Sequence, residues 1–447
     1  MATAEEIRAA LEPFWNTTGD SAAPTFTATD AVDDHSAFRT GLAASTSVAA
    51  VLASVAELAG EPIARLDQSL ALASFTTHAR VEGEPLPKWA SLSGFYRTAD
   101  DRFVQLHCNF PHHAAGAARR LGVPQERLAF ERAIAGWEAA ELESALIADG
   151  MIGAMYRTLD EWAEHPHAVA TADLPLIEIT TLAEGNASNA TPGAHDLPLS
   201  GLKVLDCSRV LAGPAAGQAL ANLGAAVLRI GAEHLPTVET CVIATGTGKR
   251  NTHLDLRTAD GRETFAGLVG EADVVIDAFR PGALEQHGFG ASDIAAISSR
   301  TSVVQISAFD WTGPWAMRRG FDSIVQTTTG IALAGAEMSN SETPVHLPVQ
   351  SLDYATGYFA AAAAIRAVHR FRAEGRTSLT RLSLLRTRNW LLELGGPTPF
   401  TPGSIIPTAD QLQTTDSDFG RVELVRPFAG RWAHGPQRLG SSAAVWS

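Results

Sequence analysis

Short aliphatic and β-branched runs alternate with longer amphipathic stretches through the second half of the chain. Lys203–Cys207 (KVLDC), Ala226–Ile230, Val274–Asp277 and Ser302–Ser307 read as strands. After the first of them, Ser208–Gly213 reads as a turn. Pro214 suits a first helical turn, where its missing N–H is not needed. Leu220 and Leu223 give that helix an apolar face, and Gly224 can end it in a left-handed conformation. Thr258 is placed to cap a helix running to about Val269, and a further helix lies near Ser292–Ile297. Strands alternating with helices of this length predict a parallel α/β sheet.

The first half has a different pattern. Ala43–Leu58 and Trp137–Ala148 read as helices. Phe95–Arg97 and Arg102–Leu106 flank Thr98–Asp101, a hairpin turn signal. This predicts a smaller α+β unit. Between the halves, Glu184–Leu199 is rich in Gly, Pro, Asn and Ser with no apolar period, which is linker chemistry. The expected organisation is a helical and strand segment over 1–84, a small α+β domain over 85–183 and a linker over 184–199. A Rossmann-like domain over 200–392 and a C-terminal extension over 393–447 follow.

A weak internal repeat crosses this division. Val48–Phe75 runs as an Ala-rich helix, a turn and the segment IARLDQSLALASF. Phe359–Leu391 runs as an Ala-rich helix, a turn and LTRLSLLRTRNWL, with Arg65-Leu66 matching Arg381-Leu382. Both copies read as helix, turn and strand, which two generic α–β units would also give.

Composition narrows the function classes. The 447 residues carry 34 Lys+Arg against 49 Asp+Glu, a net charge of -15, which disfavours non-specific nucleic-acid binding. A local basic pocket for a phosphorylated ligand stays open. Cys108, Cys207 and Cys241 are few and far apart, so a disulfide framework is not expected and a reducing compartment is. The first residues lack a charged segment followed by an apolar one, and Gly357–Val368 is too short to span a bilayer. A cytoplasmic protein with no membrane contact is expected.

The candidate chemistry is local. Arg209–Gly217 follows a strand and precedes a helix, but it lacks the Gly-x-Gly-x-x-Gly of a dinucleotide turn, and Pro214 removes an amide. Lys249, Arg250 and Arg257 cluster within one turn and strand; they would suit a phosphate or form a solvated basic edge. Phe279-Arg280-Pro281-Gly282 stands at the carboxyl end of a strand, where open α/β sheets place ligands, though it would also serve as a plain turn. His107, His112, His113, His165 and His167 lack the further ligands of a zinc site, and no metal is expected. Asp353, in Leu352-Asp-Tyr-Ala-Thr-Gly357, lies near the start of an Ala-rich helix. It could cap that helix or act as a nucleophile.

Taken in order, Leu202–Pro214, Leu220–Val227, Gly248-Lys-Arg250 with Leu254-Asp-Leu256, Ala272–Gly282, Gly320–Gln326 and the Asp353 segment resemble the class III CoA-transferase family, the CaiB/BaiF type. The first half resembles the later part of the same family, at Phe95–Val104 and Met155–Pro166, so the chain reads as a permuted or fused arrangement. Phe38–Ser45, upstream of the first repeat copy, contains no acid, so one active site per chain is expected.

The resemblance implies an α/β fold, a Rossmann-like parallel sheet with a smaller α+β domain. It implies acyl-CoA and a free carboxylic acid as substrates, with no permanently bound cofactor, and a homodimer. Asp353 would attack the acyl-CoA thioester to form an aspartyl anhydride, and the CoA thiolate would then leave an enzyme–CoA thioester. Backbone amides at the start of the Asp353 helix would hold the oxyanions. By family position, Val210, Leu211, Leu254, Arg257, Phe279 and Arg280 would line the CoA site, and Lys249, Arg250 and Arg257 would meet its phosphates. The fold also hosts α-methylacyl-CoA racemases, whose pattern has His where this chain has Phe321, and phenylalanine cannot move a proton. Gln326 is transferase-like. A non-catalytic CoA-binding protein is a third reading. The chain departs from the family at Gly231, at Gln286 and His287, and in having no long Gly-rich loop; Gly395-Gly396-Pro397 is too short for one.

Overall fold

The computed structural model describes residues 2–18, 25–30, 33–60, 65–185 and 197–446. Most of the expected linker, residues 186–196, lies outside the described residues. The largest sheet has seven strands in the spatial order Glu178–Glu184, Arg376–Ser383, Ser302–Ser307, Val274–Asp277, Lys203–Cys207, Ala226–Gly231 and Lys249–His253. Neighbours run parallel except at one edge, where Glu178–Glu184 pairs antiparallel with Arg376–Ser383. Numbered in chain order from Lys203–Cys207, the parallel strands follow the doubly wound order 3-2-1-4-5-6. Every residue of the central Val274–Asp277 strand is buried, as a strand covered on both faces requires. Thr258 caps the Ala259–Glu271 helix by accepting the Gly261 N–H at 3.0 Å.

The small α+β unit has a three-stranded antiparallel sheet, Gly94–Arg97, Phe103–Leu106 and Gly153–Met155, with the hairpin turning through Thr98–Asp101. The helices Pro111–Leu121, Arg127–Ile134 and Ala139–Ala148 close its own core around Tyr96, Val104, Phe130 and Leu142. Glu143, buried in that unit, pairs with Arg157 and, at 2.9 Å, with Arg318 of the larger body. Arg318 also lies 3.8 Å over the Trp315 ring, so this contact docks the small unit beside the sheet.

The N-terminal helices Ala4–Thr18 and Thr40–Ala59 share one hydrophobic core with the Ser351–Glu374 helix and the inner face of the sheet. Phe14 stacks on Phe359 with ring centroids 5.1 Å apart. Thr40–Ala59 is long and apolar enough to cross a membrane by composition. Here Ala44, Val48, Ala50 and Val51 of that helix are buried completely in this core. The Ser351–Glu374 helix is buried from Ser351 to Val368. A Cβ on Gly357 would lie 2.4 Å from the Ala212 carbonyl oxygen, so this glycine lets that helix cross the start of the Ala212–Asn222 helix.

The repeat is only partial. Asp67 and Ser383, at matching positions, both cap helices, accepting the N–H of Leu70 at 3.0 Å and of Arg386 at 3.1 Å. The expected strand in the first copy is absent from its described part. Leu66 makes one isolated bridge to Ala28, and Gln68–Ala73 is helical. The run Leu70–Ala73 is buried throughout, and a short run apolar on all sides suits a buried helical turn as well as a strand. Near the other end of the chain, Leu412–Ser417 and Gly420–Val425 form a hairpin that continues the Ala79–Val81 strand into a four-stranded sheet.

Candidate active site

A cleft of about 600 Å³ opens at the carboxyl ends of the parallel strands, over the point between Lys203–Cys207 and Val274–Asp277 where the winding reverses. Each strand-to-helix turn contributes to it: Arg209–Gly213, Ile230–Ala232, Leu254–Arg257, Ala278–Pro281 and Ile306–Ala308. The first turn is shaped by an unusual backbone. Val210 has φ 70°, a left-handed conformation that a β-branched residue adopts only at a cost, and both Val210 and Leu211 line the cleft. A Cβ on Gly213 would lie 2.3 Å from Ser208 Cβ and 2.9 Å from Ala278 Cβ, so the helix starts tight against two strand ends.

Asp353 lines this cleft from the first turn of the Ser351–Glu374 helix. It does not cap that helix. The capping acid is Asp322, whose Oδ2 accepts the N–H groups of Leu352 at 2.8 Å and Asp353 at 3.0 Å. Asp322 Oδ1 accepts from the Gln326 amide, and Gln326 Oε1 accepts the Leu347 N–H at 2.8 Å, which fixes the amide's direction. Among the described residues no hydrogen-bond donor reaches the Asp353 carboxylate. Burial, with the Asp322 charge added, pushes the Asp353 carboxyl well above its ordinary value, and burial raises Asp322 to about 6.

This arrangement corrects one expectation. The Leu352 and Asp353 amides serve Asp322, the Ser351 N–H donates to Val349 and the Tyr354 N–H to Gln350. The helix start therefore has no spare amide there for an oxyanion.

The cleft is cationic although the chain is acidic. Arg209, Arg280 and Arg319 line it, and none has a carboxylate partner among the described residues. Burial, and then the charges of nearby arginines, hold Arg209 and Arg319 below the usual guanidinium value. Such a cluster favours an anion between its members. Arg257 also lines the cleft, already paired with Asp255 at 2.6 Å.

Of the residues singled out in the sequence, Val210, Leu211, Leu254, Arg257, Phe279, Arg280 and Asp353 come together in this cleft. Lys249 and Arg250 do not. Lys249 is fully buried beneath it, 2.9 Å from Asp206 and 2.9 Å from the Pro214 carbonyl oxygen, and burial lowers its ammonium to about 8. Arg250 turns to the sheet edge, where it donates to the carbonyls of Val445 at 2.8 Å and Ala443 at 3.1 Å as the C-terminal segment covers that strand. Neither is placed to meet a ligand phosphate. Adjacent residues on a strand point to opposite sides, so a basic pair in sequence is divided in space.

Arg209, Arg319, His112 and His113 were not marked as site residues from sequence, yet all four line the cleft. Arg209 opens the Arg209–Gly217 turn, so the strand-to-helix pattern points toward it. The others reach the cleft only through the docking of the small unit and the loop before Asp322, which no local pattern reports. His107 stacks on Phe321 with ring centroids 4.0 Å apart, and burial lowers its imidazole to about 4, so it is neutral at physiological pH. Among the described residues no cluster of three His, Cys, Asp or Glu side chains could hold a metal ion.

Residues 199–410 match the model of CoA-transferase family III. The chain is 25% identical over 331 residues to an acetyl-coenzyme A transferase of Hypoxylon pulicicidum, covering 69% of this chain and 55% of that protein. It is 33% identical over 189 residues to a probable fatty acyl-CoA transferase of Mycobacterium tuberculosis, covering 39% of this chain and 48% of that one. A solved CaiB/BaiF family protein of Brucella suis aligns with a TM-score of 0.39 and 29% identity over 51% of this chain and 65% of that chain. The chain spans about half the length of the curated relatives it matches.

Proposed function

We propose, from the match of residues 199–410 to CoA-transferase family III, that this chain moves CoA between an acyl-CoA and a free carboxylic acid, with Asp353 as nucleophile. The observation that carries the reading is the Asp353 carboxylate: among the described residues it receives no hydrogen bond, and it lines a cleft whose Arg209, Arg280 and Arg319 have no carboxylate partner.

CoA is a phosphorylated thiol. Arg209, Arg280 and Arg319 supply guanidinium groups for its phosphates, and Val210, Leu211 and Phe279 supply apolar walls. In the first step Asp353 attacks the acyl thioester carbonyl; the C–S bond breaks, giving an aspartyl–acyl anhydride and CoA thiolate. The thiolate then attacks the aspartyl carbonyl, releases the donor carboxylate and leaves CoA as a thioester on Asp353. An acceptor carboxylate reverses these steps and departs as the new acyl-CoA. Asp322 holds the helix start, so Asp353 needs no hydrogen bond of its own to stay in place. A carboxylate stripped of such bonds is a stronger nucleophile than one fully solvated.

Racemisation would need a proton donor and acceptor flanking the acyl α-carbon. The position beside Asp322 is Phe321, which supplies neither. Asp353→Asn tests the proposal: transfer is lost, while CoA still binds by calorimetry. Retained transfer in that variant would defeat it.

A further inference from the structure

Asp353 is reached from two sides. Besides the large cleft, it lines a smaller cavity of about 50 Å³ that opens between the two halves of the chain. Thr77, Lys88, Trp89, His107 and Asn109 wall it on one side; Asp322, Ser323, Gln350 and Asp353 wall it on the other. The two spaces share Val210, Leu211, Phe321 and Asp353, and none of the unpaired arginines reaches the smaller one.

This cavity is too small for CoA, and polar side chains interrupt a largely apolar lining. Ser323 Oγ and His107 Nδ1 are buried without a hydrogen-bond partner, which is costly unless a ligand or water supplies one. Lys88 is the only lysine or arginine among its described lining residues. Among the described residues its ammonium makes one hydrogen bond, at 2.8 Å to the Thr76 carbonyl oxygen, and no acid pairs with it. Partial burial lowers its ammonium somewhat below the ordinary value. Trp89, at the same mouth, is 44% exposed and packs edge-on against His107 at 5.8 Å.

A carboxylic acid that reacts at Asp353 approaches two acids, Asp322 and Asp353, in a desolvated space. An anion entering there needs a countercharge, and Lys88 is the one the cavity offers. We propose that this cavity receives the carboxylic acid substrate through its own mouth, and that Lys88 selects short acids carrying a second anionic group. The inference rests on the proposed transferase reading. It makes Lys88 a specificity residue and leaves the arginines to CoA.

Succinate and butyrate, equal in chain length, are the probes. Each is titrated by calorimetry into the CoA-saturated protein, for wild type, Lys88→Met and Lys88→Arg, with melting temperature and CoA affinity as controls for folding. Wild type should bind succinate about 10- to 100-fold more tightly than butyrate. Lys88→Met should abolish that preference, and Lys88→Arg should restore part of it. Equal affinities in wild type, or a preference that survives Lys88→Met in a folded, CoA-binding variant, would overturn the proposal. Because binding is read without turnover, failure of the transferase reading shows separately, as succinate bound with this preference by a protein that transfers no CoA.

Discussion

Asp322 Oδ2 accepts the N–H of Asp353 at 3.0 Å, so one acid caps the helix from which the other projects. The two carboxylates are therefore close neighbours with little exposure to solvent, and burial raises both above the ordinary carboxylate range, Asp322 to about 6, with the Asp322 charge adding to the rise at Asp353.

Attack on a thioester needs the ionised carboxylate. Burial raises the Asp353 carboxyl, so transfer should go on rising with pH beyond the range in which an ordinary aspartate would already have levelled off. Asp322→Asn removes the like charge and keeps a carbonyl to accept the helix amides. The rising limb of kcat/KM should then move to lower pH. A limb that stays in place or moves to higher pH would show that the Asp322 charge does not set it.

The same shifts bear on stability. A carboxyl whose value is raised by folding binds protons the unfolded chain releases, so its contribution to stability falls as pH climbs above about 3.8 and through the folded value. Asp353→Asn removes that cost. The variant should melt a few degrees above wild type at about pH 8, and the difference should narrow toward about pH 4. A lower melting temperature at pH 8 would mean that the ionised Asp353 stabilises the fold.

Lys249 is structural in this arrangement. Lys249→Met leaves Asp206 buried and unpaired, which should cost about 3–5 kcal/mol and lower the urea midpoint. At temperatures where the variant is folded, its CoA affinity should match wild type within about threefold, below the ~1 kcal/mol expected of a direct contact. A large loss of CoA affinity without a loss of stability would put Lys249 in the ligand site.

The cleft arginines should behave in the opposite way. Arg209→Ala or Arg280→Ala should weaken CoA by roughly 3- to 30-fold at low salt with little change in melting temperature. The effect should shrink as salt rises. An affinity unchanged at low salt would remove that arginine from the phosphate site.

Much of the architecture was legible because it rests on local patterns. The alternating runs report the parallel strands, Thr258 reports its helix, and the turn after each strand reports the edge of the cleft. What stayed hidden depends on contacts between distant segments. Asp353 looked like a cap because acids near helix starts usually are; only the packing of the Gly320–Gln326 segment against that helix shows that Asp322 takes the role. Lys249 and Arg250 looked like one basic patch until strand alternation sent one into the core and the C-terminal segment covered the other. The segment around Leu70–Ala73 reads as a strand because a short continuous apolar stretch has no period that separates strand from helix.

The central claim is that Asp353 carries the acyl group and then CoA. Its most direct test is to incubate the protein with a panel of acyl-CoAs, add hydroxylamine and map modified peptides by mass spectrometry. The covalent route predicts a hydroxamate at Asp353 that requires an acyl-CoA and is absent from Asp353→Asn. A protein that turns over acyl-CoA yet shows no modification at Asp353 would contradict it.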